Sequence, residues 1–155
     1  MLTEPKIIDR QEEHYAAIRT KVNMKDIPKD LPPLIPKVND WLKKNKVKAD
    51  GPPLFRYLSM DKDNMDVEVG VPVKNEVMGD GIILPDSLPA GRYASITYKG
   101  DYSGVKEAHK KLDSWIKEKG YKAKAGTATE IYVTDPEKEP SKDKWQTDVI
   151  YLLES

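Results

Sequence analysis

The pattern of apolar residues repeats along the chain, and this repeat constrains the fold more than any other feature of the sequence. Apolar periodicity predicts a strand, a helix and two strands, followed by the same four elements again. Matching residues recur at shifts of 74 to 80: Tyr15-Ala16-Ala17-Ile18 with Tyr93-Ala94-Ser95-Ile96, Trp41 with Trp115, Tyr57 with Tyr132, and Glu68-Val69 with Asp148-Val149. Four matches at nearly one offset indicate that a single unit is duplicated.

The elements of each half follow from local signals. The prolines at 28, 32, 33 and 36 mark a connection that leads into a first helix, whose apolar residues recur at helical spacing from Leu34 to Leu42. A second helix is predicted from near Ser103 to Gly120, where a glycine is typical of a helix end. Period-two alternation and β-branched residues predict strands within residues 7–22, 54–60, 66–73, 91–98, 129–134 and 145–153, with a short strand near 82–84.

These elements predict an α+β protein, a duplicated βαββ repeat with pseudo-two-fold symmetry. Residues 1–155 form a single domain, with repeats at about residues 5–75 and 88–153. Each half has an apolar helix stripe and an apolar sheet face, which must bury against each other. Two such halves side by side give antiparallel sheets and two main helices around a central cleft.

Side-chain alternation predicts which residues line that cleft. If Val67, Val69 and Val71 face the helix, Glu68 faces the cleft, and if Ile131 and Val133 face the core, Glu130 and Tyr132 face the cleft. The repeat adds Phe55, Tyr57 and Asp148, which gives an aromatic wall with a few carboxylates. A shift of one residue in any strand inverts this assignment.

Composition excludes several classes of function. The chain has 26 basic and 26 acidic residues, whereas a general nucleic-acid binder needs a surplus of positive charge. It has no cysteine, and it has no apolar run long enough to span a membrane or to resemble a signal peptide. The sequence therefore predicts a cytoplasmic protein with no membrane contact.

The remaining polar residues indicate no metal site and no nucleophile. His109 lies among charged residues of the second predicted helix and is interpreted as solvated, and neither it nor His14 neighbours a set of metal ligands. No serine has a nucleophile-elbow context. Trp41 and Trp115 lie on the apolar stripes of the helices and are interpreted as core residues. We expect no cofactor and no metal.

Two groups of motifs, one in each half of the chain, resemble those of a known protein family. The first half contributes Gly51-Pro52-Pro53-Leu54-Phe55-Arg56-Tyr57 and Asp66-Val67-Glu68-Val69-Gly70-Val71-Pro72-Val73. The second half contributes Leu88-Pro89-Ala90-Gly91-Arg92-Tyr93-Ala94, Lys99-Gly100-Asp101-Tyr102, Trp115, and Glu130-Ile131-Tyr132 followed by Asp135-Pro136. These motifs resemble the GyrI-like domains, also called AraC-type effector-binding domains, over nearly the whole chain and in the right order.

This resemblance implies a central cleft that binds a small molecule. Glu130 matches the glutamate that attracts organic cations in multidrug-sensing relatives, where the domain follows a DNA-binding module. The strand pattern begins near residue 7, so we expect a stand-alone version with no DNA-binding module and no direct nucleic-acid contact. Stand-alone relatives include hydrolases of cyclopropane-bearing genotoxins and a modulator of DNA gyrase, and the quoted residues do not select a branch.

Three functions therefore stay open. The first is binding of a flat or cationic organic molecule for sensing, sequestration or protection from a toxin, with Glu130 as the anchor. The second is hydrolysis of a reactive small molecule, with Glu130 as the first catalytic candidate and Glu68 as the next. The third is modulation of a protein partner such as a topoisomerase. The candidate ligand-binding residues are Glu130, Tyr132, Glu68, Tyr57, Phe55, Tyr93, Trp145 and Asp148.

The simpler interpretation of each candidate is structural. Glu130 is equally consistent with an exposed strand glutamate that makes a surface ion pair, and Glu68 with a solvated residue on a half-buried strand. Aromatic residues are frequent in strands because they pack well there.

Overall fold

A computed structural model describes residues 1–154 and consists of an antiparallel sheet with three helices. The eight strands are β1 (Lys6–Arg10), β2 (Glu13–Asn23), β3 (Leu54–Asp61), β4 (Asn64–Pro72), β5 (Leu84–Leu88), β6 (Gly91–Lys99), β7 (Ala128–Tyr132) and β8 (Gln146–Leu152). The helices are α1 (Ile27–Asp30), α2 (Leu34–Lys44) and α3 (Val105–Glu118). The predicted α+β class and the antiparallel pairing are confirmed.

The strand order requires the sheet to curl. The order is β1-β6-β8-β7-β3-β4-β2-β5, so six strand positions separate β1 from β2. A flat sheet would put these strands about 29 Å apart, at about 4.8 Å per strand. Only residues 11–12 connect them, and three Cα steps reach at most about 11 Å. Only residues 89–90 connect β5, at one edge of the sheet, to β6, next to the other edge. The two edges of the sheet must therefore approach each other.

Curling gives the sheet two different faces. The inner face buries a core drawn from seven strands, whose members are Ile8, Tyr15, Ala17, Leu54, Leu88, Tyr93, Ile131, Ile150 and Leu152. We call the opposite face the helix face. There α2 packs through Val38 and Leu42 on β2 and β4, and α3 packs through Ala108 and Leu112 on β6 and β8. Strands β3 and β7 lie between the two helix-covered regions.

Each long helix begins where the sequence predicts. Helix α2 follows Pro33, whose backbone is already helical. Before α3, the Asp101 carboxylate accepts a hydrogen bond from the backbone N–H of Ser103 and caps the turn formed by residues 102–104. Beyond α3, Gly120 has a φ of +77°, a conformation that a glycine adopts without strain.

The structure corrects some details of the predicted elements. The first predicted strand is two strands, because the chain crosses between the sheet edges at Gln11 and Glu12. Trp41 and Trp115 pack at the borders of the core and are half-buried rather than central. Within residues 1–154, none of the helices is long and apolar enough to cross a membrane.

Candidate functional site

Glu130 is the centre of a hydrogen-bonded group on the helix face. Glu130 is buried, with 8% of its surface exposed to solvent. Oxygen Oε1 accepts hydrogen bonds from the hydroxyl groups of Tyr57, at 3.0 Å, and Tyr132. Oxygen Oε2 lies 2.7 Å from Nε2 of His109. We call Glu130, Tyr57, Tyr132 and His109 the acid site.

The acid site follows from the register of the two central strands. Strands β3 and β7 are antiparallel with Phe55 opposite Glu130. Because side chains alternate along a strand, Tyr57 and Tyr132, two residues away, lie on the same face. Helix α3 then brings His109 over this face from the side of β6 and β8.

A group of aromatic residues extends the acid site. The rings of Phe55 and Tyr132 meet edge to face, with centroids 4.7 Å apart. Tyr102, in the turn before α3, lies 5.4 Å from Tyr132 and 4.8 Å from Trp145. We call Phe55, Tyr102 and Trp145 the aromatic rim. These rings provide faces and edges on which an aromatic or cationic molecule can pack.

The tyrosines of the acid site remain protonated donors at neutral pH. Burial, and after it the charge of Glu130, raises the pKa of both Tyr57 and Tyr132 well above the ordinary value. Burial also raises the pKa of Tyr151, with smaller effects from Asp113 and Glu130. The site is therefore a carboxylate surrounded by neutral hydroxyl groups and one imidazole.

His109 is the residue that the sequence interpretation missed. Its side chain is 23% exposed, and Nδ1 lies 2.6 Å from the hydroxyl of Tyr151 while Nε2 contacts Glu130. The expectation that it is solvated is wrong. Val105, His109, Leu112 and Ile116 follow helical spacing, so His109 lies beside the apolar stripe of α3.

Five of the eight predicted ligand residues come together here. Phe55, Tyr57, Glu130 and Tyr132 share the helix face, and Trp145 joins them through Tyr102.

The other three predicted residues, Glu68, Tyr93 and Asp148, belong to the inner face. Glu68 pairs with Arg56 in register, whereas Val67 pairs with Tyr57. The prediction that Glu68 shares a wall with Glu130 is therefore wrong. Tyr93 is fully buried and donates its hydroxyl to the carbonyl of Pro89 at 2.6 Å. Asp148 pairs with Ile131 of the inner core and accepts a hydrogen bond from Thr97.

Glu68 has a separate polar group of its own. The Tyr15 hydroxyl donates to it at 2.5 Å, and the Arg56 guanidinium donates to the Tyr15 hydroxyl at 3.0 Å. Burial, and then the neighbouring Asp86, raises the pKa of Glu68 to about 7. We call Tyr15, Arg56, Glu68 and Asp86 the inner polar group.

Two surface cavities lie away from both groups. One, of about 250 Å³, is formed by residues 10–14 with Asp50, Val73 and Lys74, and the other, of about 350 Å³, lies beside the turn between β3 and β4. Neither contains a residue of the acid site or the aromatic rim. Within residues 1–154, no group of three or more histidine or acidic side chains is arranged to hold a metal ion.

A curled antiparallel sheet with two long helices beside an acid-centred aromatic site defines an α+β domain. The chain belongs to the family of the GyrI-like small molecule binding domain, whose model matches residues 3–153. The resemblance inferred from the sequence motifs is thereby confirmed. Comparison with curated protein sequences finds no significant match.

Solved structures with the same fold include EcmrR. In the EcmrR–DNA complex, the match has a TM-score of 0.85 and 20% identity, and covers 98% of this chain but 57% of EcmrR. This chain therefore spans little more than half of the EcmrR chain. Against the EcmrR C-terminal domain alone, the TM-score is 0.83 with 20% identity, and 98% of each chain is covered. At this identity the likeness establishes the fold.

Two further structures extend the comparison. SAV2435 bound to tetraphenylphosphonium matches with a TM-score of 0.69 and 11% identity, covering 99% of this chain and 95% of SAV2435. A hydrolase from Listeria innocua matches with a TM-score of 0.67 and 13% identity, covering 97% of this chain and 92% of the hydrolase.

Proposed function

We propose that this domain binds an aromatic organic cation on the helix face, between α2 and α3, with Glu130 as the electrostatic anchor. The observation that carries the proposal is a carboxylate at the centre of a ring of aromatic side chains. Arg56, the arginine on the adjacent central strand, donates instead to Tyr15 and to backbone carbonyls of the inner face. The acid site thus lacks a permanent protein cation that would neutralise Glu130 within residues 1–154.

The physical basis is the combination of charge and stacking. A cation 4–5 Å from a carboxylate at the edge of a protein gains roughly 3–4 kcal/mol at an effective dielectric constant of 20. Aromatic faces add roughly 0.5–2 kcal/mol for each well-placed cation. Glu130 is nearly covered by neighbouring side chains, so we expect side chains of the acid site or the rim to move when a ligand enters. SAV2435, which has the same fold, was solved with tetraphenylphosphonium bound.

The test is a calorimetric titration of the protein with tetraphenylphosphonium. The Glu130→Gln variant keeps the size of the side chain and removes its charge, and we expect its affinity to fall tenfold or more. Glu68→Gln is the matched control, because it removes a buried carboxyl group from the opposite face. Equal affinity of the wild type and Glu130→Gln, or an equal loss in both variants, would contradict the proposal.

We further propose that the domain is built from two βαββ repeats, at about residues 5–75 and 88–153. Two observations support this. Helix α2 lies between β2 and β3, just as α3 lies between β6 and β7, and in each half the two strands after the helix pair antiparallel with each other. Phe55 and Glu130 are 75 residues apart, which is also the separation of Tyr57 and Tyr132. Phe55 and Glu130 lie opposite each other where the two halves pair through β3 and β7.

Hydrolysis is a second candidate, favoured by the contact between Glu130 and His109. A carboxylate hydrogen-bonded to an imidazole can accept a proton from water, whose oxygen then attacks an electrophilic carbon of the substrate. The proton passes to the pair and then to the leaving group or to solvent. Glu68 lies on the other face and takes no part in this mechanism.

The test of hydrolysis is turnover of strained electrophiles such as activated cyclopropanes, measured by mass spectrometry. We expect turnover by the wild type and loss in Glu130→Gln. Turnover no faster than in buffer, or unchanged in that variant, would remove hydrolysis from consideration.

A further inference from the structure

The number of protons on His109 sets the net charge of the acid site. The tyrosines stay neutral, because burial and the charge of Glu130 raise their pKa values. Because the Glu130 carboxylate can only accept a hydrogen bond, the contact assigns a proton to Nε2 of His109, whether the ring carries one proton or two. With one ring proton the site carries one negative charge, and with two it is neutral.

The contact with Tyr151 allows both states. A neutral imidazole protonated on Nε2 accepts a hydrogen bond at Nδ1 from the Tyr151 hydroxyl, and an imidazolium donates to the same oxygen. Neither state leaves a ring nitrogen without a partner, since the two contacts are 2.6 and 2.7 Å. His109 can therefore gain or lose a proton while keeping both partners, and the Tyr151 hydroxyl turns from donor to acceptor when the ring gains its second proton.

We propose that a cation binding beside Glu130 expels the second proton of His109 to solvent, so that His109 makes the affinity for cations depend on pH. This inference rests on the proposed function. An imidazolium 2.7 Å from Glu130 already neutralises the carboxylate and repels a second cation at the same place. The neutral imidazole leaves the negative charge free for the ligand.

The other groups that face His109 do not release a proton in its place when a cation binds. Strand β7 presents Glu130, β3 presents Tyr57 at a ring distance of 6.2 Å, and β8 presents Tyr151. Strand β6 presents the apolar side chains of Ala94 and Ile96 to α3, together with Tyr98. Tyr102, in the turn before α3, packs against Tyr132. On α3 itself, Asp113 lies one turn after His109 and acts on Tyr151, and Lys106 lies one turn before His109.

The coupling between cation binding and the loss of a proton from His109 has a definite upper limit. If one proton leaves for each cation bound, the affinity rises at most tenfold for each increase of one pH unit, over the range in which His109 is protonated in the free protein. A neutral ligand of the same shape gains nothing from the departure of that proton. The domain would therefore select cations over neutral aromatics more strongly as pH rises.

The experiment is isothermal titration calorimetry with tetraphenylphosphonium between pH 5.5 and 8, in buffers of different ionisation enthalpy. This design counts the protons released for each cation bound. Triphenylphosphine oxide, which is neutral, is the ligand control. His109→Gln removes the titrating group, and His14→Gln is the matched control, because the only other histidine lies beside Glu12 and outside the acid site.

We expect proton release in the wild type and in His14→Gln, no release in His109→Gln, and no rise with pH for the neutral ligand. The same proton release in His109→Gln and wild type overturns the coupling. Strong binding that is independent of pH also overturns it, while the proposed function stands. Absence of tetraphenylphosphonium binding at every pH refutes the proposed function and the coupling together. Thermal unfolding of each variant verifies that it is folded.

Discussion

Glu68 is a carboxyl group buried on the inner face, and its protonation links the stability of the domain to pH. The residue is 3% exposed, and burial followed by the effect of Asp86 raises its pKa from 4.5 to about 7. Between these two values the folded protein holds a proton that the unfolded chain has lost. The free energy of unfolding therefore falls as pH rises from about 4.5 to about 7, and then levels off.

The size of the effect follows from the pKa difference. At about 1.4 kcal/mol per pH unit, the maximum loss is roughly 3 kcal/mol. Water and salt around the inner polar group reduce this, so we expect a loss of about 1–2 kcal/mol. Glu68→Gln keeps a neutral side chain that can accept the hydrogen bond from Tyr15, and this contribution to the pH dependence should disappear.

The assay is urea denaturation of wild type and Glu68→Gln at pH 5 and pH 8. We expect the wild type to lose about 1–2 kcal/mol more than the variant between the two pH values. Glu76→Gln, in the exposed segment before β5, is the matched control and should behave as the wild type does. Identical pH dependence in wild type and Glu68→Gln would refute the assignment of this effect to Glu68.

Three further substitutions test the packing, each by urea denaturation at pH 7. Within residues 1–154, the buried hydroxyl of Thr147 has no hydrogen-bond partner, so Thr147→Val should leave stability unchanged or raise it by about 1 kcal/mol. A clear loss would mean that the hydroxyl is paired. Leu112→Ala should cost about 2–5 kcal/mol, because Leu112 is fully buried under α3, and a cost below 1 kcal/mol would contradict that packing. Gly70→Ala places a methyl group 2.6 Å from the Tyr15 ring and should cost about 1–3 kcal/mol, whereas no cost would mean that the ring is free to move.

Much of the fold could be predicted because local patterns decide it. The apolar spacing of Val105, Ala108, Leu112 and Ile116 gives α3 almost to its ends. Alternation also correctly put Tyr132 on the same face as Glu130. These are periodicities within single elements, which a sequence displays directly. The repeat added Phe55 and Tyr57 to that face, and the pairing of β3 with β7 agrees.

The curl of the sheet could not be predicted in the same way. It depends on the strand order and on the two short connections between its edges. Without it, we expected the valines of β4 to cover one face and the ligand residues to share the other with Glu68. In the structure both faces of the sheet are buried, and the register of β3 and β4 places Val67 opposite Tyr57 on the helix face, which leaves Glu68 on the inner face.

His109 was missed for a different reason. Its sequence neighbours Lys106, Glu107 and Lys110 are charged, which favoured a solvated interpretation. Position mattered more than neighbours, because His109 follows Val105 by one helical turn and precedes Leu112 by three residues. A polar residue at the border of an apolar helix stripe is a signal that sequence analysis can use.

The most direct test of the central claim is the location of bound tetraphenylphosphonium by NMR. Intermolecular NOEs from its phenyl protons identify the side chains within about 5 Å in solution. We predict NOEs to Tyr57, Tyr132 and the ring of His109, and their loss in Glu130→Gln at the same ligand concentration. NOEs to side chains of the 250 Å³ surface cavity instead, unaffected by that substitution, would contradict the account.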